Sequence, residues 1–121
     1  MKNGVINYAD VVAVLAKPGE AIQAGLTPGK AHLLHMAVGV SGESGELLDA
    51  IKKHTIYGKE LDVSNVIEEL GDLEFYLEGM RQYLGITREA VLQVNIAKLS
   101  ARYTSGKYSD AAAIKRADKN A

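Results

Sequence analysis

Cysteine and tryptophan are absent from this sequence, phenylalanine occurs once and proline twice. Without cysteine there is no disulfide, no thiolate nucleophile and no cysteine-ligated zinc, and the composition suits a reducing compartment. The apolar run from Val11 to Ala16 is short, follows Asp10 and has no basic leader, so it does not read as a signal peptide. The longest uncharged stretch, Ala31 to Gly42, contains His32 and His35, and it falls short of the roughly 20 apolar residues that a membrane span needs. An excess of charge of one sign is missing too. Lysine and arginine number 14 against 15 aspartates and glutamates, for a net charge of -1. A general nucleic-acid or membrane binder is therefore not expected, and any phosphate recognition has to be local. The expectation is a soluble, cytoplasmic protein.

What is present is an ordinary globular composition, 47% hydrophobic and 24% charged over 121 residues, enough for one domain and one core. No period-2 alternation is long enough for a sheet, so the predicted fold class is all-α, an antiparallel helical bundle. Asn7 with Asp10 opens an N-terminal helix over about 7–17, closed by Lys17, Pro18 and Gly19. After a Gly-rich connector, Thr27 and Pro28 supply a cap and a first-turn proline for a long helix running to about His54. Tyr57-Gly58-Lys59 breaks the chain. Asp62 or Ser64 then caps a helix to Leu84-Gly85, and Thr87 caps another that ends near Tyr103. The domain is read as a core over about 28–104 and a tail over about 105–121, in which Ser109 or Asp110 caps a last short helix.

Helical projection gives each long segment an apolar stripe with an acidic flank. In the helix from Pro28 the stripe is Leu33, Val40, Leu47 and Ile51, flanked by Glu43 and Glu46 with His32, His35, Gly39 and Lys53. In the next helix it is Val66, Leu70, Leu73, Leu77, Met80 and Leu84, flanked by Glu69 and Asp72. Two antiparallel neighbours built this way aim two i,i+3 acidic pairs at one point. Four converging carboxylates repel unless a cation neutralises them, and an open all-oxygen set suits magnesium, with manganese as the alternative. The following helix carries the opposite charge: Asn95, Lys98 and Arg102 share a narrow arc beside the stripe Leu92, Ile96, Leu99 and Tyr103. A fork, a point charge and an amide facing a metal site suit a polyphosphate.

Each signal alone has an ordinary explanation. An E-x-x-E is usually a solvated helix face, His32 and His35 are more often packing residues than ligands, and Tyr76 and Tyr83 read as core-rim residues. It is the matched pair of acidic motifs that is hard to dismiss.

The strings GESGELLDAIKK, IEELGDLEFYL and NIAKLSARYTSGKYSD together resemble the MazG-like nucleotide pyrophosphohydrolases, members of the all-α NTP pyrophosphatase superfamily, whose signature is E-x-x-E followed by E-x-x-D on the next helix. The resemblance covers roughly His35 to Asp110. It implies a magnesium enzyme that hydrolyses a nucleoside triphosphate to a monophosphate and pyrophosphate, with Glu43, Glu46, Glu69 and Asp72 as catalytic metal ligands. It further implies phosphate binding by Asn95, Lys98 and Arg102, with Tyr103 and Lys107 as weaker contributors, and assembly into a homodimer or homotetramer that completes the bundle. The N-terminal 30 residues do not align with the family core, and Phe75-Tyr76 stand where many relatives have tryptophan. Two rival readings are a ferritin-like carboxylate bundle, which needs Glu-x-x-His pairs that this sequence lacks, and a non-catalytic helical interaction module.

Overall fold

The computed structural model describes residues 6–119, and every regular element among them is helical. In order these are α1 (Tyr8–Leu15), α2 (Gly19–Gly25), α3 (Pro28–Thr55), α4 (Val63–Leu84), α5 (Arg88–Arg102) and α6 (Asp110–Lys115), followed by a 3-10 turn at Ala117–Lys119. The helices begin where side-chain oxygens satisfy backbone N–H groups that have no partner within the helix. Asn7, Thr27, Asp62, Thr87 and Ser109 accept from Ala9, Lys30, Asn65, Ala90 and Ala112 respectively. At the end of α4, Gly85 takes a left-handed conformation with φ of 68°. Its own N–H and that of Ile86 bond back to Gln82 and Arg81, a closure that an L side chain resists.

Two elements lie outside the expectation, the 3-10 turn at Ala117–Lys119 and α2. Residues 19–25, read as a Gly-rich connector, form α2, because Pro18 presets the entry and Glu20 sits favourably in the first turn.

The body of the protein is the antiparallel hairpin of α3 and α4, whose mutual packing dominates the tertiary contacts. His54 Nδ1 donates to the Lys59 carbonyl at 2.7 Å and ties the connecting loop back to α3. Close approach of the two helices is made at glycines. A β-carbon at Gly39 would fall inside the ring of Tyr76, and one at Gly79 would overlap the Met36 thioether. At Gly29 it would stand 2.8 Å from the Tyr83 hydroxyl. Three side chains, Tyr76 and Tyr83 from α4 and Met36 from α3, thus lie against glycines of the opposite helix. This fixes the register, and with it which carboxylates meet.

The expected stripe residues Leu33, Val40, Leu47, Ile51, Val66, Leu73, Leu77 and Met80 are all half-buried, while Met36 and Ala50 are the buried residues among those described. Leu70, Leu84, Ile96 and Leu99 remain substantially exposed in the single chain. Helix α5 packs chiefly on α6 and the terminal 3-10 turn. No helix of the described residues is long and apolar enough to cross a membrane.

Candidate metal and phosphate site

The hairpin register brings three of the four expected carboxylates together and leaves Glu46 outside. Glu43 on α3 and Glu69 and Asp72 on α4 each offer a carboxylate oxygen, and these atoms all lie within 4.8 Å of one another. Glu43 and Glu69 are half-buried and Asp72 is exposed, so the cluster opens to solvent on one side. Glu69 Oε2 is enclosed and has no hydrogen-bond donor. Burial holds the Glu69 carboxyl above its ordinary range, and the neighbouring Glu43, Asp72 and Glu46 add to that effect in that order. An enclosed carboxylate oxygen with acids around it and no donor is a strained arrangement for the protein alone. A divalent cation would relieve it, by supplying the positive charge and the missing partner at once. The oxygens fit a hard cation and offer nothing to a soft one.

Glu46 occupies a different place from the other three. It is exposed and lies outside the tight triad, yet it is near enough to raise the Glu69 carboxyl. It also faces Lys53, which is paired with Asp49 at 2.9 Å.

Beyond Asp72 by one turn, Tyr76 lies over Gly39, and His35 meets the Tyr76 ring edge-on with centroids 5.9 Å apart. Phe75 packs against the same ring at 5.2 Å and is itself 68% exposed. The carboxylates therefore continue into an aromatic and imidazole wall, of which sequence reasoning assigned Tyr76 to the core rim and took His35 as a possible neighbour of the site. The signal was available in the spacing: Gly39 precedes Glu43 by four residues and Tyr76 follows Asp72 by four, which stacks each pair on one helix face.

The cationic group is less uniform than its spacing implies. Asn95 and Lys98 are exposed on α5, and Lys107 is exposed in the loop after it. Tyr103 and Lys107 line a cleft of about 410 Å³ with Leu99 and Tyr108. Arg102 is engaged: its Nε and Nη2 donate to the two carboxylate oxygens of Asp118 at 2.8 and 3.3 Å. Within one chain, α5 packs mainly against the C-terminal segment rather than against the carboxylate hairpin, and of this group it is Arg102 that is engaged there.

The sequence model of the MazG nucleotide pyrophosphohydrolase domain matches residues 32–106, more than half of the chain. No curated protein and no solved structure matches it. The matched span begins at His32, contains both acidic pairs and the α5 cations, and leaves α1, α2 and the C-terminal segment outside.

Proposed function

The chain belongs to the MazG nucleotide pyrophosphohydrolase family, and from that premise we propose that it hydrolyses nucleoside triphosphates to monophosphates and pyrophosphate with magnesium. The observation that carries this reading is the convergence of Glu43, Glu69 and Asp72 around the enclosed, donorless Glu69 oxygen.

Glu43, Glu69 and Asp72 hold the cation. When bound, it offsets the negative charge of the polyphosphate and favours displacement at phosphorus. Glu46, exposed beside the triad, takes a proton from the attacking water. The water oxygen forms a bond to phosphorus as the bridge between the α and β phosphates breaks, and the bridging oxygen leaves with the pyrophosphate. Lys98 and Asn95 grip the phosphates from α5. Tyr76, held over Gly39 with His35 at its edge, lies one turn from the cluster and offers a flat face to a base. A second copy of the chain brings α5 to the hairpin, since within one chain α5 lies chiefly on its own tail.

The test is product analysis. With magnesium and a panel of common and modified triphosphates, pyrophosphate and the matching monophosphate should appear in equal amounts. Inorganic phosphate and a diphosphate would mean that a different bond is cleaved. Absence of turnover across the panel would favour the interaction-module reading.

A further inference from the structure

An enclosed ion pair joins the C-terminal segment to a residue of the phosphate face. Asp118, whose side chain is 5% exposed, meets Arg102, 18% exposed, through both carboxylate oxygens. This two-point contact along the Nε and Nη2 edge is how a guanidinium grips a phosphate, and a carboxylate seated there imitates one. With the Nε and Nη2 edge occupied and only 18% of the Arg102 side chain exposed, a phosphate seeking the same two-point grip has to displace Asp118.

The element that delivers Asp118 is built to let go. α6 is six residues long and encloses none of them fully. It ends at Arg116, in a left-handed conformation with φ of 49°, which is unfavourable for a side chain of this size. That bend turns the chain into the three-residue 3-10 turn containing Asp118, and a single such turn has weak hydrogen-bond geometry. Beyond the Asp118 pair the segment packs mainly against a single helix, α5, which is the profile of a part that opens locally below the global unfolding free energy.

We infer that the segment Asp110–Lys119 is a releasable latch in which the Asp118 carboxylate occupies Arg102 in place of a substrate phosphate. The inference rests on the triphosphate reading above and adds its regulation: substrate has to displace the protein's own acid, so affinity is set by a competition within the chain. Asp118→Asn keeps the shape of the side chain and removes its charge, leaving Arg102 free for phosphate.

Binding of inorganic tripolyphosphate with magnesium, measured by calorimetry, tests this without turnover. The wild-type protein should bind, Asp118→Asn should bind about tenfold more tightly, and adding Arg102→Ala to either should abolish the difference. A second measurement needs no variant: amide exchange at Ala117–Lys119 in the wild-type protein should speed up when tripolyphosphate saturates it. Equal affinity of wild type and Asp118→Asn overturns the latch and leaves the triphosphate reading intact. Exchange at Ala117–Lys119 that stays unchanged or slows on saturation does the same, because the pair would then be a permanent anchor. Failure of both proteins to bind overturns latch and triphosphate reading together.

Discussion

At Glu69 the needs of folding and of metal binding conflict. The half-buried carboxyl is held above its ordinary value of 4.5 by burial first, then by Glu43, Asp72 and Glu46, so in the metal-free protein the folded state keeps a proton that the unfolded state has released. Stability from this group is therefore present at low pH and is lost as pH rises through the raised folded value. A cation reverses the preference, because it binds the ionised form and expels the proton. Metal-free protein should gain stability as pH falls from 7.5 toward that window, magnesium should flatten the trend, and Glu69→Gln should remove it; denaturant midpoints at several pH values measure all three. Magnesium affinity should weaken over the same range, and titration calorimetry in buffers of different ionisation heat should register proton release. The same residue separates roles within the acidic set. Glu69→Gln should lose metal affinity and activity together, because an amide leaves the cation short of charge and of a strong ligand. Glu46→Gln should keep most of the metal affinity and lose turnover by about a hundredfold or more, as expected for a lost proton acceptor. Equal loss of metal binding in both variants would return Glu46 to the ligand set.

The hairpin of α3 and α4 depends on which glycines touch the opposite helix and which do not. A methyl at Gly39 would enter the Tyr76 ring, whereas one at Gly45 would meet nothing within 4 Å. Gly39→Ala should destabilise the protein by about 1–3 kcal/mol through overpacking. Gly45→Ala should stabilise it by about 0.5–1 kcal/mol by restraining the unfolded chain and improving helix propensity. Thermal or denaturant unfolding of the two variants checks the contrast, and Gly39→Ala should also weaken metal binding, since any shift of α3 against α4 moves Glu43 away from Glu69. This is also the scale at which the sequence was most and least readable. Thr27, Asp62 and Thr87 marked the starts of the long helices, because a cap is a local interaction within three residues. The meeting of Glu43, Glu69 and Asp72 was legible for the same reason, as i,i+3 spacing sets a shared face, whereas Glu46 at the same spacing lies outside the cluster. The position of Met36 in the Gly79 notch, and of Tyr76 over Gly39, was not. Those depend on the register between helices, which periodicity within each helix leaves open. Arg102 was read from its place on α5 as a phosphate ligand, but its pairing with Asp118 spans 16 residues and a left-handed bend at Arg116, which no local pattern encodes.

For the whole molecule, the decisive quantity is surface. A compact monomer of 13.0 kDa exposes about 6,300 Å², whereas this chain exposes 9643 Å², about one and a half times as much. The excess is apolar in character: Val14 is 80% exposed, Leu48 68%, and Ile67, Val94 and Ile96 lie open along their helices. Helix α1 has Tyr8, Val12 and Leu15 uncovered on one face. Burial on this scale suits the extensive, apolar contacts of an obligate assembly, so the protein should be at least a dimer that does not dissociate without unfolding. Light scattering should give a mass of two or more chains, with an unfolding midpoint that rises with protein concentration; a folded, active monomer would defeat the assembly. Assembly also bears on α5 and the phosphate binding proposed for it. Because α5 packs chiefly on its own C-terminal segment, Lys98 should serve the carboxylates of a neighbouring subunit. Glu69→Gln and Lys98→Ala proteins, each inactive alone, should recover activity after subunit exchange through partial unfolding and refolding together, because one site in each mixed pair then has both residues intact. In a dimer that mixes freely, the recovery should approach about a quarter of the wild-type value. A mixture that exchanges subunits, as tracked by a size tag on one variant, and stays inactive would mean that each chain supplies its own lysine.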